Sequence, residues 1–344
     1  MRIGILTGGG DCPGLNAVIR SVTRLALDRG DEVVGVLHGW RGMVEGLFRP
    51  LEAVHVSGIL PRGGTILKTS RTNPFRTEGD VERVLANLAG FDALVAIGGE
   101  DTLGVAARLH AEHGVQVVGV PKTIDNDLGA TDVTFGFDTA VSIATEAIDR
   151  LHSTAESHER IMVVEVMGRY AGWIAVHAGV AGNAHVILFP ELPYDIERVV
   201  DRIKRRYAAG RRYCIVVVAE GARPKDGGIS TIGEELGREV RIGGLAEKIG
   251  AYLGEATGFE VRSLVLGHLQ RGGSPTHRDR LLALRFGAAA VRMVEQGKFG
   301  NIVAYHPPHM VPVPIEDAIR VMKTVPLDSD TVQTARDLGI CLGD

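Results

Sequence analysis

Four carboxylates and one lysine stand in a single stretch of this chain: Glu100, Asp101, Asp125 and Asp127, with Lys122 among them. The acids sit in two polar segments, Gly98-Gly99-Glu100-Asp101-Thr102 and Pro121-Lys122-Thr123-Ile124-Asp125-Asn126-Asp127. Four carboxylates converging on one crevice repel one another unless a cation stands among them. Magnesium prefers oxygen ligands and bridges phosphates, so it is the ion this pattern points to.

The elements that must position these groups are legible around them. Apolar runs of strand length, Ala93–Ile97 and Val115–Val120, precede the two polar segments, and Leu103, Ala106, Ala107 and Leu109 recur near helical spacing over Thr102–His113. Strand, loop, helix, strand, loop is the grammar of a parallel α/β unit. Ligands in such sheets lie outside the carboxyl ends of the strands, where both polar loops fall. A further strand, Ile3–Thr7, runs into Gly8-Gly9-Gly10-Asp11-Cys12-Pro13-Gly14 and a helix with Leu15, Val18, Ile19, Val22, Leu25 and Ala26 on its apolar face. Glycines between a strand and a helix N-terminus let backbone amides approach phosphate oxygens, and Gly9 and Gly10 stand at that turn. A tight turn without a ligand is the alternative, and Cys12 reads as a small loop filler.

A strand over Glu32–His38 leads to Arg62-Gly63-Gly64-Thr65, Lys68 and Ser70-Arg71-Thr72-Asn73-Pro74; an anion-contact loop and a solvated surface loop both fit that composition. Asp138 caps a long helix from Phe137. A second alternation follows: strand Ile161–Val166 after Arg160, strand Val186–Phe189, helix Ile196–Tyr207 and strand Cys214–Ala219 ending at Glu220-Gly221. Residues Ala222 to Arg238 read as loop, followed by helix Gly244–Thr257, strand Val261–Leu266, helix Asp279–Gln296 and a proline-broken C-terminal segment. The fold class is α/β: two Rossmann-like lobes, each a mostly parallel sheet flanked by helices, with strand-end loops facing a shared cleft.

Bulk properties narrow the function. At 344 residues about two domains are expected. The 45 glycines are nearly twice the usual ~7% and cluster after strand-like runs, as ligand-approach loops do. A net charge of −4 with a pI near 6.3 offers no basic field for nucleic acid. No apolar run reaches the ~18–20 residues of a spanning helix, and the N-terminal run is too short for a signal peptide. Cys12, Cys214 and Cys341 lack metal-ligand spacing, which reads as a cytoplasmic protein with reduced thiols.

Taken in order, the motifs resemble the phosphofructokinase family from the first strand to about residue 325. They are Thr7-Gly8-Gly9-Gly10-Asp11, Gly98–Thr102, Lys122–Asp127, Met167-Gly168-Arg169, Glu220-Gly221, and Arg262 through Gly267-His268-Leu269-Gln270-Arg271-Gly272-Gly273 to Asp279-Arg280. The resemblance implies a donor-binding lobe, 1–137 plus about 270–320, and a sugar-phosphate lobe, 138–269 plus about 321–344. It implies magnesium-dependent phosphoryl transfer to the 1-hydroxyl of fructose 6-phosphate. By the same resemblance Asp125 is the general base, Asp127 and Thr123 support the transferred phosphate, Arg71 clamps it, and Glu100 stands where the family usually has a magnesium-associated aspartate. Ile124, Met167, Gly168, Arg169, Glu220, His268, Leu269, Gln270 and Arg271 match the sugar-phosphate motifs. Arg160 and Arg262 match arginines that reach a neighbouring subunit's sugar phosphate, which implies a homodimer or homotetramer. Read singly, these would be ion-paired surface arginines and a core histidine.

The donor divides the family. ATP-using members carry glycine where Asp101 and Lys122 stand, and pyrophosphate-using members carry aspartate and lysine, so this chain resembles the latter. A carboxylate at 101 takes the room of an α-phosphate and repels it; two like charges ~4 Å apart cost roughly 4 kcal/mol at an effective dielectric near 20. Lys122 supplies a cation for the leaving phosphate. Lys68 departs from relatives, which often have glycine or another small residue there. An ATP-dependent 6-phosphofructokinase is the alternative. NAD or lipid kinases would leave Met167–Arg169 and the Arg262–Arg280 signature unexplained. A dehydrogenase would want an acid where Val36-Leu37-His38 ends the second strand, and a non-catalytic subunit would be free to lose Asp125 and Lys122.

Overall fold

The computed structural model describes residues 1–225 and 244–344, with the backbone of 231–232 and 241–242. Along the chain run β1 (Arg2–Thr7), α1 (Leu15–Asp28), β2 (Glu32–Val36), α2 (Trp40–Glu45), β3 (Phe48–Pro50), α3 (Asp80–Leu88), β4 (Ala93–Gly98), α4 (Glu100–His113) and β5 (Val117–Pro121). Next come α5 (Phe137–Ser157), β6 (Ile161–Val166), α6 (Trp173–Ala181), β7 (Val186–Leu188), α7 (Ile196–Ala208), β8 (Cys214–Ala219), β9 (Thr231–Ile232), β10 (Arg241–Ile242), α8 (Leu245–Thr257) and β11 (Val261–Val265). The chain closes with α9 (His277–Glu295), β12 (Asn301–His306), β13 (His309–Pro314), α10 (Ile315–Arg320) and α11 (Asp330–Asp337). It divides into two compact units, Met1–Thr139 with Arg271–Lys323, and Ala140–Gln270 with Thr324–Asp344.

The first unit holds a seven-stranded sheet among the described residues, in the order β13-β12-β5-β4-β1-β2-β3. Its inner strands pair in parallel, while β3 and β13 pair antiparallel at the edges. β4 and β5 are buried along their whole length, as continuous apolar runs covered on both faces must be. Leu6, Val36, Trp40, Met43, Leu103, Leu109 and Ile302 belong to the core of this unit. Close packing is set by glycines: a Cβ on Gly287 of α9 would stand 2.8 Å from the Val18 carbonyl of α1.

The second unit holds a four-stranded parallel sheet among the described residues, ordered β11-β6-β8-β7. Ile161, Val163, Val216, Val218 and Leu253 form part of its core. β11 is an edge strand, mostly exposed, and carries Arg262.

Three sequence expectations change. The proline-broken C-terminal segment contains β12 and β13, which extend the first sheet; Pro312 and Pro314 lie on the edge strand β13, where a missing N–H is tolerated. Within the loop expected over 222–238, Thr231–Ile232 pairs with Arg241–Ile242, and the rest of that span beyond residue 225 lies outside the described residues. The second strand stops at Val36, because His38 takes a left-handed φ of 61°.

Candidate active site

The glycine turn after β1 is held open by neighbouring backbone. Gly8 N–H donates to the Ile97 carbonyl at 2.9 Å, and Gly9 N–H donates to that of Ser70 at 3.1 Å. Gly9 has φ 75°, a conformation glycine adopts without steric cost. A Cβ on Gly8 would lie 2.4 Å from Thr102 Oγ1 of α4, and one on Gly10 would lie 2.6 Å from Arg271 Nη1. Lys122, at the end of β5, is 4% exposed and donates from Nζ to the Gly10 carbonyl at 2.5 Å. Arg271 donates to the Asp11 carbonyl. Two cations therefore line the turn. Burial pulls the Lys122 pKa down and Arg271 adds to that, while Cys12, Asp125 and Asp127 pull it up. Cys12 is buried and its thiol is pushed up to about 12, chiefly by burial, so it fills space as expected.

The two helices that begin beside this turn differ in charge. α1 starts at Gly14 with no side-chain cap and no acid in its first turn, which leaves its N–H groups for an anion. α4 places Glu100 and Asp101 in its first turn, both exposed, and those acids neutralise its positive end. The phosphate-suited end is that of α1. Arg71 is exposed on the loop after Ser70, and Lys68 is exposed with φ 60°. That left-handed conformation is the physical reason a glycine suits position 68.

The loop after β5 is tied along its length. Asp125 N–H donates to Thr123 Oγ1 at 3.1 Å, and the Thr134 hydroxyl donates to the Thr123 carbonyl at 2.7 Å. Asn126 has φ 52°, and its Oδ1 accepts from Thr134 N–H and from Lys323 Nζ. Asp125 Oδ1 is buried without a hydrogen-bond partner among the described residues. Its carboxyl is pushed up to about 6 by burial and by Asp127, against the pull of Arg271 and Lys122. A carboxylate titrating near neutrality, with an open acceptor, is equipped to take a proton from a ligand.

Beyond burial, Asp127 links the four acids electrostatically, raising the pKa of both Glu100 and Asp125, but they form no metal cage among the described residues. Among the described residues no three His, Cys, Asp or Glu side chains are placed to hold a metal ion together. Glu100 and Asp101 lie exposed on the first turn of α4, whereas Asp125 turns one oxygen into the interior. Burial, Asp101 and Asp127 push the Glu100 carboxyl up, an excess of negative charge that a cation would relieve. Magnesium commonly takes one or two carboxylates and completes its shell with water and substrate phosphates, so Glu100 and its surroundings fit it without a protein cage.

In the second unit, β6 ends at Met167-Gly168-Arg169. Gly168 has φ 138°, and a Cβ on Gly221 would fall 1.9 Å from the Arg169 carbonyl, so Glu220-Gly221 must carry glycine to pack there. The Arg169 guanidinium lies 5.1 Å from the Tyr170 ring centre, and its Nε is buried without a hydrogen-bond partner among the described residues. His268 and Leu269 are exposed, which sets aside the core-histidine reading. Gln270 is fully buried: its Oε1 accepts from Met167 N–H at 3.3 Å and its Nε2 donates to the Gly267 carbonyl at 3.1 Å. Its amide serves the backbone, and Ile124, 1% exposed, is a core side chain of the first unit. Both side chains point into the protein interior. Arg271, grouped with the sugar-phosphate motifs by sequence, lies in the first unit at the glycine turn. Arg160 pairs with Glu260 at 2.9 Å, and Arg262 pairs with the same carboxylate.

Sequence reasoning missed Lys323 and Thr134, and it gave no role to the buried Asp279 of the last motif, whose Oδ2 accepts from the Thr139 N–H and hydroxyl at 2.8 and 2.5 Å. Only the Asn126–Asp127 motif signals that something must hold a buried left-handed turn there. Nothing in the sequence says what does.

Glycine turn, buried lysine and near-neutral aspartate on a parallel sheet define the class, and the chain belongs to the phosphofructokinase family, whose model matches residues 2–294. It is 57% identical to a pyrophosphate–fructose 6-phosphate 1-phosphotransferase of Amycolatopsis methanolica, over 95% of this chain and 96% of that one. It is 51% identical to an ATP-dependent 6-phosphofructokinase 3 of Streptomyces coelicolor, over 95% and 97%. A solved pyrophosphate-dependent phosphofructokinase from Marinobacter aquaeolei shares the fold, with a TM-score of 0.82 at 24% identity over 100% of this chain and 93% of that one.

Proposed function

We propose that this chain transfers a phosphoryl group from pyrophosphate to the 1-hydroxyl of fructose 6-phosphate, giving fructose 1,6-bisphosphate and phosphate, reversibly, in glycolysis and gluconeogenesis. Asp125 takes the hydroxyl proton, and the freed oxygen attacks the terminal phosphorus. Lys122 and the glycine turn at Gly9 and Gly10 hold the leaving phosphate. Arg71 clamps the transferred group, with Asp127 and Thr123 supporting it. Magnesium, when bound beside Glu100, neutralises and orients the donor phosphates. Asp101 denies a nucleotide's α-phosphate its place.

Met167, Gly168, Arg169, Glu220, His268 and Arg271 recognise the sugar phosphate, with Leu269 and Gln270 shaping that segment. Arg160 and Arg262 serve a neighbouring subunit's sugar phosphate in a homodimer or homotetramer. The protein works in the cytoplasm; among the described residues no helix is long and apolar enough to cross a membrane.

One observation carries the donor assignment: a buried ammonium at the Gly10 carbonyl, where ATP-using members of the family have no side chain. Coupled assays with each donor test it. Turnover with pyrophosphate and little with ATP is the expected result; turnover with ATP alone would overturn it. The likeness to the Streptomyces ATP-dependent enzyme keeps ATP as the second reading.

A further inference from the structure

We propose that Lys323 is a positioning residue for the phosphoryl-transfer aspartates: its ammonium locks the left-handed turn at Asn126 that sets Asp125 and Asp127 on either side. The inference rests on the roles given to those aspartates above. Lys323 lies 197 residues from Asn126 in sequence, yet its Nζ donates to Asn126 Oδ1 at 2.9 Å. It donates also to the Thr131 carbonyl at 2.9 Å and the Asp132 carbonyl at 2.8 Å. An ammonium has three protons, and three neutral oxygens of one loop receive them. The Lys323 backbone joins in, its N–H donating to the Asp127 carbonyl at 2.8 Å, and Leu128 bridges Met322.

Asn126 needs such a lock. It holds φ 52°, a left-handed turn that asparagine adopts more readily than most L residues, and it is 3% exposed, so its amide oxygen must be satisfied by the protein. The side-chain oxygen is shared between Thr134 N–H and the lysine. Burial lowers the Lys323 pKa to about 8, against the pull of Asp132 and Asp127, the acids that face it. Reacting groups displaced by about 1 Å can lose 10²-fold in rate. A cation that fixes the peptide between two working carboxylates therefore acts on turnover, with substrate affinity set elsewhere.

The test compares Lys323→Met, Asn126→Gly (which keeps the left-handed backbone and removes the amide) and the double variant with wild type. Each is assayed with pyrophosphate and fructose 6-phosphate, and amide hydrogen exchange is followed over the peptides of 122–134. Expected are a loss in kcat of about tenfold to a hundredfold for Lys323→Met, KM values within about threefold, and faster exchange confined to 122–134. The double variant should be no slower than the worse single one, because both remove one link. The proposal is overturned if kcat stays within about twofold, if the two losses multiply, or if exchange quickens throughout the chain. Should wild type turn over neither pyrophosphate nor ATP, the functional reading fails by itself; exchange in 122–134 still decides whether Lys323 holds the loop.

Discussion

Lys122 and the pair Arg160 and Arg262 carry the same sign of charge into opposite surroundings. The lysine is buried at the end of an inner strand, held by a backbone carbonyl, with acids near but none among the described residues bonded to it. The arginines flank Glu260 beside the edge strand β11, and that carboxylate stays exposed to water. The first cation has given up hydration for a fixed position, a cost that folding must offset and that an incoming phosphate would reward. Arg262 keeps more than half of its side chain exposed and Arg160 a quarter, and ion pairs to a water-exposed carboxylate are worth little on their own. Fixed, desolvated charge suits catalysis, because it needs no reorganisation when a reacting group arrives.

That contrast is broken most sharply at the buried acid beside the lysine. Asp125→Asn should cost about a thousandfold in turnover, within the ~10²–10⁴ of a general base. The same change should stabilise the fold at pH 8. The carboxyl titrates at about 6 when folded against an ordinary 3.8, so the folded state holds its proton more tightly than the unfolded chain. The cost of ionising it in place is complete above pH 6 and is relieved as pH falls from about 6 toward 3.8. Melting curves should therefore show the variant ahead at pH 8 and level with wild type near pH 4. A variant no more stable at pH 8 would mean that the acid is not desolvated.

Lys122→Met should follow, with pyrophosphate-dependent kcat/KM falling by about a hundredfold, the scale of one lost transition-state donor. Paired Asp101→Gly and Lys122→Gly should abolish pyrophosphate use and admit ATP weakly; untouched pyrophosphate turnover would refute the electrostatic account. In wild type, turnover should decline about tenfold per pH unit below pH 6 as Asp125 takes its proton. A profile flat down to pH 5 would point to another base. Smallest is Glu260→Gln, which releases both arginines: the melting temperature should hold within about 2 °C, while the KM for fructose 6-phosphate shifts by about threefold or less. A loss as large as that of Lys122→Met would erase the contrast.

Much of this was legible before any coordinates. The inner strands β1, β2, β4, β5, β6 and β8 announced themselves as unbroken apolar runs, because a parallel strand is covered on both faces. Gly8, Gly98 and Thr102 stood together in the motifs, and the fold shows why: the threonine packs where two Cβ atoms would otherwise be. β13 was missed because proline argues against a strand everywhere except at an edge, and edge position is not a local property. The unequal exposure of the four acids was hidden for a similar reason. Sequence places residues at the ends of neighbouring strands without saying which way each side chain turns from there.

By itself the sequence determined most of the strand–helix alternation, the family and the candidates for the reacting groups, since these depend on periodicity and on residue types at short spacing. Only the tertiary structure decided which charges lose their water. It buried Lys122 and one oxygen of Asp125, left Glu100 and Asp101 exposed, and brought Lys323 across the chain to the Asn126 turn. Desolvation depends on everything packed around a group, and for these residues the packing comes from segments far away in sequence.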